Sequence, residues 1–86
     1  MVCSPAYSWD CAEAVAIVQC ESSGNPVAIG HGHFGWWQIS EAVWRPFFGE
    51  ELWAAVLGPV VNTEMAAVIY ERAGRTWGPW GCRLGA

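Results

Sequence analysis

The hydrophobic positions between residues 8 and 21 recur at the spacing of an α-helix. The apolar stripe comprises Cys11, Ala14, Val15 and Val18. Side chains at this spacing share one face of a helix and pack against a core. Ser8 is suited to cap the N-terminus, with Asp10 in the first turn, where the helix dipole favours a negative charge. The next position on the apolar face is Glu21, so we expect its carboxyl group to be partly buried.

Turn-forming residues end this helix at Ser22–Pro26, where glycine and then proline follow two serines. Residues 27–39 are poor in helix formers, and Gly30, Gly32 and Gly35 are interspersed with histidines and aromatic residues. This pattern predicts a short hairpin or an irregular glycine-rich loop.

The second half of the chain is predicted to be helical. Ser40 caps a short helix through Trp44 that Pro46 limits, and 47–49 form a turn. A further short helix covers 50–57. The last helix runs from Pro59 to about residue 73, ends at Gly74, and has an inner face of Val61, Met65, Val68 and Ile69. The predicted fold is therefore a single α+β domain over 1–86, mostly α, with residues 1–7 as an N-terminal tail.

Composition adds a cross-linked core to this picture. The chain has 86 residues, 53% of them hydrophobic, with seven Trp and four Cys. An even cysteine number in so short a chain indicates disulfides and an oxidising destination; four buried, reduced cysteines are the alternative. Of the possible pairings, we favour Cys3–Cys11 with Cys20–Cys82. This pairing joins near neighbours at the N-terminus and ties the first helix to the C-terminal tail.

The charge distribution argues against two classes of partner. The net charge is −4 and all four basic residues are Arg, so no basic patch for nucleic acid and no cationic membrane helix is present. No apolar run approaches the ~18 residues of a membrane span. Met1–Cys3 lacks the features of a signal peptide. We therefore expect delivery by a phage particle or lysis pathway, or excision from a longer precursor.

Glu21 is the candidate catalytic residue. A partly buried carboxyl group can protonate a glycosidic oxygen near neutral pH; the alternative is that Glu21 caps backbone or pairs with an Arg. Glycosidases usually need a second carboxylate, but no Asp or Glu lies between Glu21 and Glu41. We expect Glu41 to point to solvent. Either Glu64 or Glu71 folds in, or the N-acetyl group and C6 hydroxyl of an amino sugar complete a lytic transglycosylation.

The two histidines of the glycine-rich segment, His31 and His33, are too few for a zinc site without neighbouring Cys or Asp ligands. We expect them to line the cleft and hydrogen-bond sugar hydroxyls. No metal or cofactor is predicted.

Several aromatic and amide side chains are candidates for contact with sugar rings. Stacking faces are expected from Trp36, Trp37, Trp77 and Trp80, with core packing as the alternative for each, whereas Trp9, Trp44 and Trp53 have the spacing of core residues. Gln38 orients Glu21 or the substrate, or satisfies a buried backbone group. Asn62 and Tyr70 are either cleft residues or a helix cap and core.

Several motifs, taken in order, resemble those of a known family: Trp9–Asp10, Cys20–Ser22, Gly24–Asn25, Gly32–Ser40 with Gln38, Trp44, Trp77–Trp80 and Cys82. The family is that of the resuscitation-promoting factor catalytic domains, within the lysozyme-like and lytic transglycosylase superfamily. The run from Asn62 through Tyr70 looks more like the soluble lytic transglycosylases. The resemblance extends over almost the whole chain.

The resemblance implies a small lysozyme-like domain that cleaves the glycan strands of bacterial peptidoglycan. It places the catalytic glutamate on Glu21, a disulfide on Cys20 and Cys82, and a cleft glutamine on Gln38. We expect the substrate-binding residues to be His33, Phe34, Trp36, Gln38, Asn62, Tyr70, Trp77 and Trp80. Family members often carry tyrosines where His33 and Phe34 stand, and smaller residues where Trp36 and Trp37 stand. We expect an extracellular, cell-wall or phage-associated monomer.

Overall fold

Four helices and one three-stranded antiparallel sheet make up residues 1–82, the part of the chain that the computed structural model describes. In chain order they are α1 (Cys11–Ser22), β1 (Ile29–Gly30), β2 (His33–Phe34), β3 (Ile39–Ser40), α2 (Glu41–Phe48), α3 (Glu50–Trp53) and α4 (Pro59–Arg72). The predicted α+β class, mostly helical, is confirmed. The domain end predicted at residue 86 lies outside the described residues.

Helix α1 begins two residues later than the expected cap would place it. Asp10 has an extended backbone, and its carboxylate accepts the Glu13 N–H at 3.0 Å, so Asp10 is the N-cap. The predicted cap, Ser8, instead donates its hydroxyl hydrogen to Glu71 of α4. An acidic N-cap satisfies one free N–H of the first turn and complements the helix dipole.

The buried face of α1 is formed by Ala14, Ile17 and Val18. Val15, which we placed on this face, is 42% exposed. Because both sets fit a helical spacing, the sequence period does not decide which one is buried in the core. Cys11 is also exposed, where it bonds to Cys3 and holds the N-terminal segment against the helix.

The glycine-rich segment forms a sheet in the order β1-β2-β3. Ile29 and Gly30 pair with Phe34 and His33 across a two-residue turn. Both turn residues have positive φ, 54° at His31 and 77° at Gly32, which is the geometry that favours tight hairpins. The predicted hairpin is therefore present, and a third strand at Ile39–Ser40 extends it.

Helix α2 continues through Pro46 to Phe48, so the predictions of a stop at this proline and of a turn over 47–49 are wrong. A proline inside a helix removes one backbone hydrogen bond, but the Gly49 N–H still closes the last turn on the Arg45 carbonyl. Ser40 is the N-cap residue, although its side chain makes no capping hydrogen bond. Helix α3 is shorter than predicted, since residues 54–57 form turns.

Helix α4 has the predicted bounds, with Pro59 in its first turn and Gly74, at φ 75°, after its C-cap Ala73. Met65 and Ile69 are buried as expected, whereas Val68 is 40% exposed and Val61 only partly buried. The rest of the inner face comprises Asn62, Thr63, Ala66 and Tyr70. Asn62 and Thr63 are therefore buried although they are polar, and a search for apolar residues at helical spacing does not identify them.

Trp37 and Asn62 are the centre of the core, and both are fully buried. The Asn62 amide accepts the Trp37 N–H at 2.8 Å and donates to the carbonyls of Phe34 and Val56. The Trp37 indole N–H donates to Thr63. Around Trp37 pack Trp9, Trp77 and Trp80. Every polar atom of this buried node therefore has a protein partner.

Two disulfides, Cys3–Cys11 and Cys20–Cys82, join the pairs that we favoured. The second spans a sequence separation of 62 residues, and closing a loop of that length removes about 4 kcal/mol of unfolded-state entropy in the chain model. No helix within residues 1–82 has the length and apolar character needed to cross a membrane.

We expect Asn62→Ala to lower the free energy of unfolding by about 3 kcal/mol or more, because three backbone groups, two of them in buried hydrogen bonds, lose the Asn62 amide as a partner. The control is Asn25→Ala, which removes a single hydrogen bond from an exposed asparagine. Urea denaturation followed by tryptophan fluorescence measures both. Equal losses in the two variants would contradict this role of Asn62.

Candidate functional site

Glu21 lies in the last turn of α1, next to the disulfide-bonded Cys20. The helix ends one residue later at Ser22, and Ser23 adopts the left-handed conformation at φ 55°. The side chain of Glu21 is half-buried, and one carboxylate oxygen accepts the Cys82 backbone N–H at 3.1 Å. The carboxylate is therefore held between the end of α1 and the C-terminal tail, residues 77–82.

A cleft of about 280 Å³ opens beside this carboxylate. Its lining residues are Glu21, His33, Gln38, Ile39, Ser40, Trp44, Ile69, Pro79, Trp80 and Gly81. They come from the end of α1, the sheet, α2, α4 and the tail. Among residues 1–82, Glu21 is the only carboxylate that lines this cleft.

The loop before β3 brings Gln38 to the cleft in a constrained conformation. Its backbone is left-handed at φ 48°. Its side-chain nitrogen donates to the carbonyls of Ala28 and Gly35, at 3.1 and 2.9 Å. The nitrogen is thus committed to the loop, and the side-chain oxygen is the atom that can accept a hydrogen bond from a ligand. Of the roles considered for Gln38, the structure shows the one that satisfies backbone.

His33 and Ser40 face each other across β2 and β3. Directly opposed residues of antiparallel strands project from the same face, and both of these line the Glu21 cleft. Ser40 was missed as a site residue because its position before a predicted helix indicates a cap. Its hydroxyl does not cap α2, which leaves it available in the cleft.

The groove continues past His33 and Ser40 into a second cavity of about 710 Å³. Its other lining residues are His31, Gly32, Glu41, Ala42, Arg45, Pro46 and Glu50. Arg45 donates to Glu41 at 2.6 Å and forms a bidentate pair with Glu50. The hydrogen bond from Arg45 lowers the pKa of the Glu50 carboxyl. Both carboxylates in this cavity are therefore neutralised by an Arg; Glu41, expected to point to solvent, is one of them.

The two distant candidates for a second carboxylate lie elsewhere. Glu71 accepts hydrogen bonds from Ser8 and Arg75, which lower the pKa of its carboxyl group. Glu64 lines cavities beside Tyr7 and Phe48. Neither residue lines the Glu21 cleft, so the predicted alternative in which one of them folds in is not what the structure shows.

Five expected substrate-binding residues lie outside the cleft: Phe34, Trp36, Asn62, Tyr70 and Trp77. Asn62 is the fully buried core amide described above. Tyr70 is 8% exposed and packs against Trp9 and Trp77. For Asn62 and Tyr70 the structure therefore agrees with the core alternative.

The other three of these residues are half-buried and hold the scaffold together. Phe34 packs edge-on against Trp53. The Trp36 indole N–H donates to the Gly24 carbonyl, and that of Trp77 donates to the Glu13 carboxylate. Each of these contacts ties the sheet or the tail to the ends of α1 or to α3.

The aromatic surface of the cleft comes mainly from Trp44, which we expected in the core. Helix α2 has no buried residue, and Trp44 is half-buried and lines the cleft. Trp80 also lines it but is 4% exposed, and its indole N–H donates to the Trp37 carbonyl at 2.8 Å. Trp9 and Trp53 are buried as predicted, and Trp37 is core rather than cleft.

Within the described residues, no group of three or more His, Cys, Asp or Glu side chains could hold a metal ion. The chain matches no protein-family model, and no curated protein or solved structure matches it either. What the cleft does must therefore be inferred from its own geometry.

Gln38 offers a test of the loop geometry. We expect Gln38→Ala to lower the free energy of unfolding by about 1–2 kcal/mol, because two hydrogen bonds are lost. Gln38→Gly should recover about 1 kcal/mol of that loss, since glycine adopts the left-handed backbone without strain. Thermal unfolding compares the two variants, and a glycine variant less stable than the alanine variant would argue against a strained Gln38.

Proposed function

We propose that this chain cleaves the β-1,4 bond between N-acetylmuramic acid and N-acetylglucosamine in bacterial peptidoglycan, as a lytic transglycosylase. The observation that carries the proposal is a half-buried carboxylate, Glu21, held by a backbone N–H in a cleft that contains no other carboxylate among residues 1–82. Such a group can give a proton to a leaving oxygen and take one back.

The proposed reaction has two steps. The Glu21 carboxyl group protonates the glycosidic oxygen as the bond to the anomeric carbon breaks, and the N-acetyl carbonyl oxygen of the same sugar stabilises the cationic carbon. The C6 hydroxyl of that sugar then attacks the anomeric carbon, and the Glu21 carboxylate takes its proton. The products are a 1,6-anhydro sugar and a free 4-hydroxyl, and Glu21 returns to its starting state.

The surroundings of Glu21 suit a sugar polymer. The Trp44 ring offers an apolar face for a pyranose ring. The Gln38 side-chain oxygen, the His33 imidazole and the Ser40 hydroxyl offer polar contacts to hydroxyl and acetamido groups. The second cavity, which shares His33 and Ser40 with the cleft, provides space for the glycan strand to continue beyond the bond that is cleaved.

The architecture supports the family resemblance on which the proposal also rests. A helix ends in the single cleft glutamate, a short antiparallel sheet lies beside it, and the long α4 contributes Ile69 to the cleft. This arrangement is compatible with the lysozyme-like domain that the resemblance implies. The two disulfides support an extracellular, cell-wall or phage-associated site of action.

Glu21→Gln tests the proposal directly. We expect it to reduce the release of products from purified peptidoglycan by at least about 10²-fold, since an amide cannot exchange the proton. The matched control is Glu51→Gln, the same change at an exposed position of α3. Mass spectrometry identifies the products, and thermal unfolding verifies that all three proteins are folded.

Each outcome of this digestion decides between rival functions. Anhydro-sugar ends from wild type and Glu51→Gln alone are the expected result. Reducing ends would identify a lysozyme-type hydrolase and contradict the transglycosylase. No product from a folded wild type, with retained binding to the glycan, would identify a catalytically silent peptidoglycan-binding module.

A further inference from the structure

The Cys20–Cys82 disulfide and the Glu21 carboxylate form one structural unit. Cys20 directly precedes Glu21 in the last turn of α1, and its Cα lies 6.2 Å from that of Cys82. The backbone N–H of Cys82 in turn donates to Glu21 at 3.1 Å. The same residue, Cys82, thus supplies both the covalent link to the helix end and the hydrogen bond to the carboxylate.

The tail that leads to this bridge forms one wall of the cleft, through Pro79, Trp80 and Gly81. Trp80 is anchored independently, because its indole N–H donates to the buried Trp37 carbonyl. Within residues 1–82, Cys82 is held by the disulfide to Cys20 and by the hydrogen bond from its backbone N–H to Glu21, and Gly81 is held through Cys82. Breaking the disulfide would therefore remove the covalent tie of 81–82 to the helix end while leaving Trp80 in the core.

We propose that the Cys20–Cys82 disulfide positions the Glu21 carboxylate for proton transfer, so that glycan cleavage requires the oxidised bridge. The inference rests on the proposed function of Glu21. Cys82 is here a positioning residue: its N–H restricts the carboxylate to one orientation in the cleft. Without the bridge, the N–H is no longer held beside Glu21, and the carboxylate samples orientations from which it cannot reach the glycosidic oxygen.

The switch is chemically simple. A dithiol attacks the disulfide through one thiolate and resolves the mixed disulfide through its second thiol. The dithiol becomes a cyclic disulfide, and the two electrons and two protons pass to Cys20 and Cys82 as thiols. Cys20 is exposed, so a small reductant reaches the bridge without unfolding of the domain.

The second disulfide of the chain is an internal control. Cys3–Cys11 closes a separation of 8 residues at the opposite end of α1. Neither of its cysteines lines the Glu21 cleft. If reduction acted only by destabilising the domain, loss of either disulfide would lower the activity. A positioning role predicts that only loss of Cys20–Cys82 lowers it.

The kinetic test compares the double variants Cys20→Ser/Cys82→Ser and Cys3→Ser/Cys11→Ser on solubilised glycan strands, at a temperature where circular dichroism shows both folded. We expect kcat of the first to fall by about 10²-fold, the usual effect of a misplaced catalytic group, with KM changed little. The Cys3→Ser/Cys11→Ser variant should keep a kcat near that of wild type. Dithiothreitol should lower its kcat to that of the Cys20→Ser/Cys82→Ser variant. Wild-type kcat in a folded Cys20→Ser/Cys82→Ser variant would overturn the proposal.

A synthetic protein keeps the test decisive if that variant does not fold. The chain is short enough for total synthesis, and residue 82 can be introduced as the α-hydroxy analogue of cysteine. This change replaces the Cys82 N–H by an ester oxygen and retains the disulfide. We expect a clear loss of kcat, whereas the same replacement at Thr76, an exposed residue that does not line the cleft, should have little effect. Full activity of the residue 82 ester would overturn the proposal.

A measurement independent of catalysis separates this inference from the proposed function. In ¹⁵N-labelled protein, the Cys82 amide resonance should move with pH as the Glu21 carboxylate ionises. The movement should be absent in Glu21→Gln and in dithiol-reduced protein. An amide that still follows Glu21 after reduction would refute the coupling. An oxidised wild type that shows the coupling but releases no product would refute the proposed function alone.

Discussion

The buried hydrogen bonds of Asn62 are the constraint on which the rest of the structure depends. Its amide joins α4 to the backbone of Trp37 and Phe34 in the glycine-rich segment and to that of Val56 in the turn before α4. An unpartnered polar group at a fully buried site costs more than a hydrogen bond returns, so these segments have one arrangement that satisfies them all. Gly35 is required in it: its φ is 81°, and a Cβ there would lie 2.4 Å from the Asn62 amide nitrogen.

A series of hydrogen bonds and one disulfide connects Asn62 to the cleft. Asn62 holds the Trp37 backbone, and the Trp37 carbonyl accepts the Trp80 indole N–H. Trp80 leads the tail along the cleft, and Cys82 reaches both Cys20 and Glu21. The carboxylate at the end of α1 is thus oriented by a core residue of α4 that it does not touch.

The small size of the domain explains why so few of its aromatic residues face the cleft. A chain of 86 residues has little apolar surface to bury, and most of its tryptophans are used to fill the core around Trp37. The tryptophans that line the cleft are Trp44, on helix α2, and Trp80, which is 4% exposed. The polar groups that line the cleft from the sheet are His33 and Ser40, and in the proposed function they are the contacts to sugar hydroxyls.

The residue pattern by itself determined the helix before Glu21, the helical character of the second half of the chain, and the hairpin. It also determined the limits of α4 at Pro59 and Gly74, and it singled out Glu21 as a polar residue on an apolar helix face. These are local properties, set by period, turn chemistry and capping. Tertiary structure decided which tryptophans are core, that α2 passes through Pro46, and that Asn62 and Tyr70 are buried while Ser40 and Trp44 line the cleft. A side chain's burial depends on what packs against it from distant segments, and no local pattern encodes that neighbour.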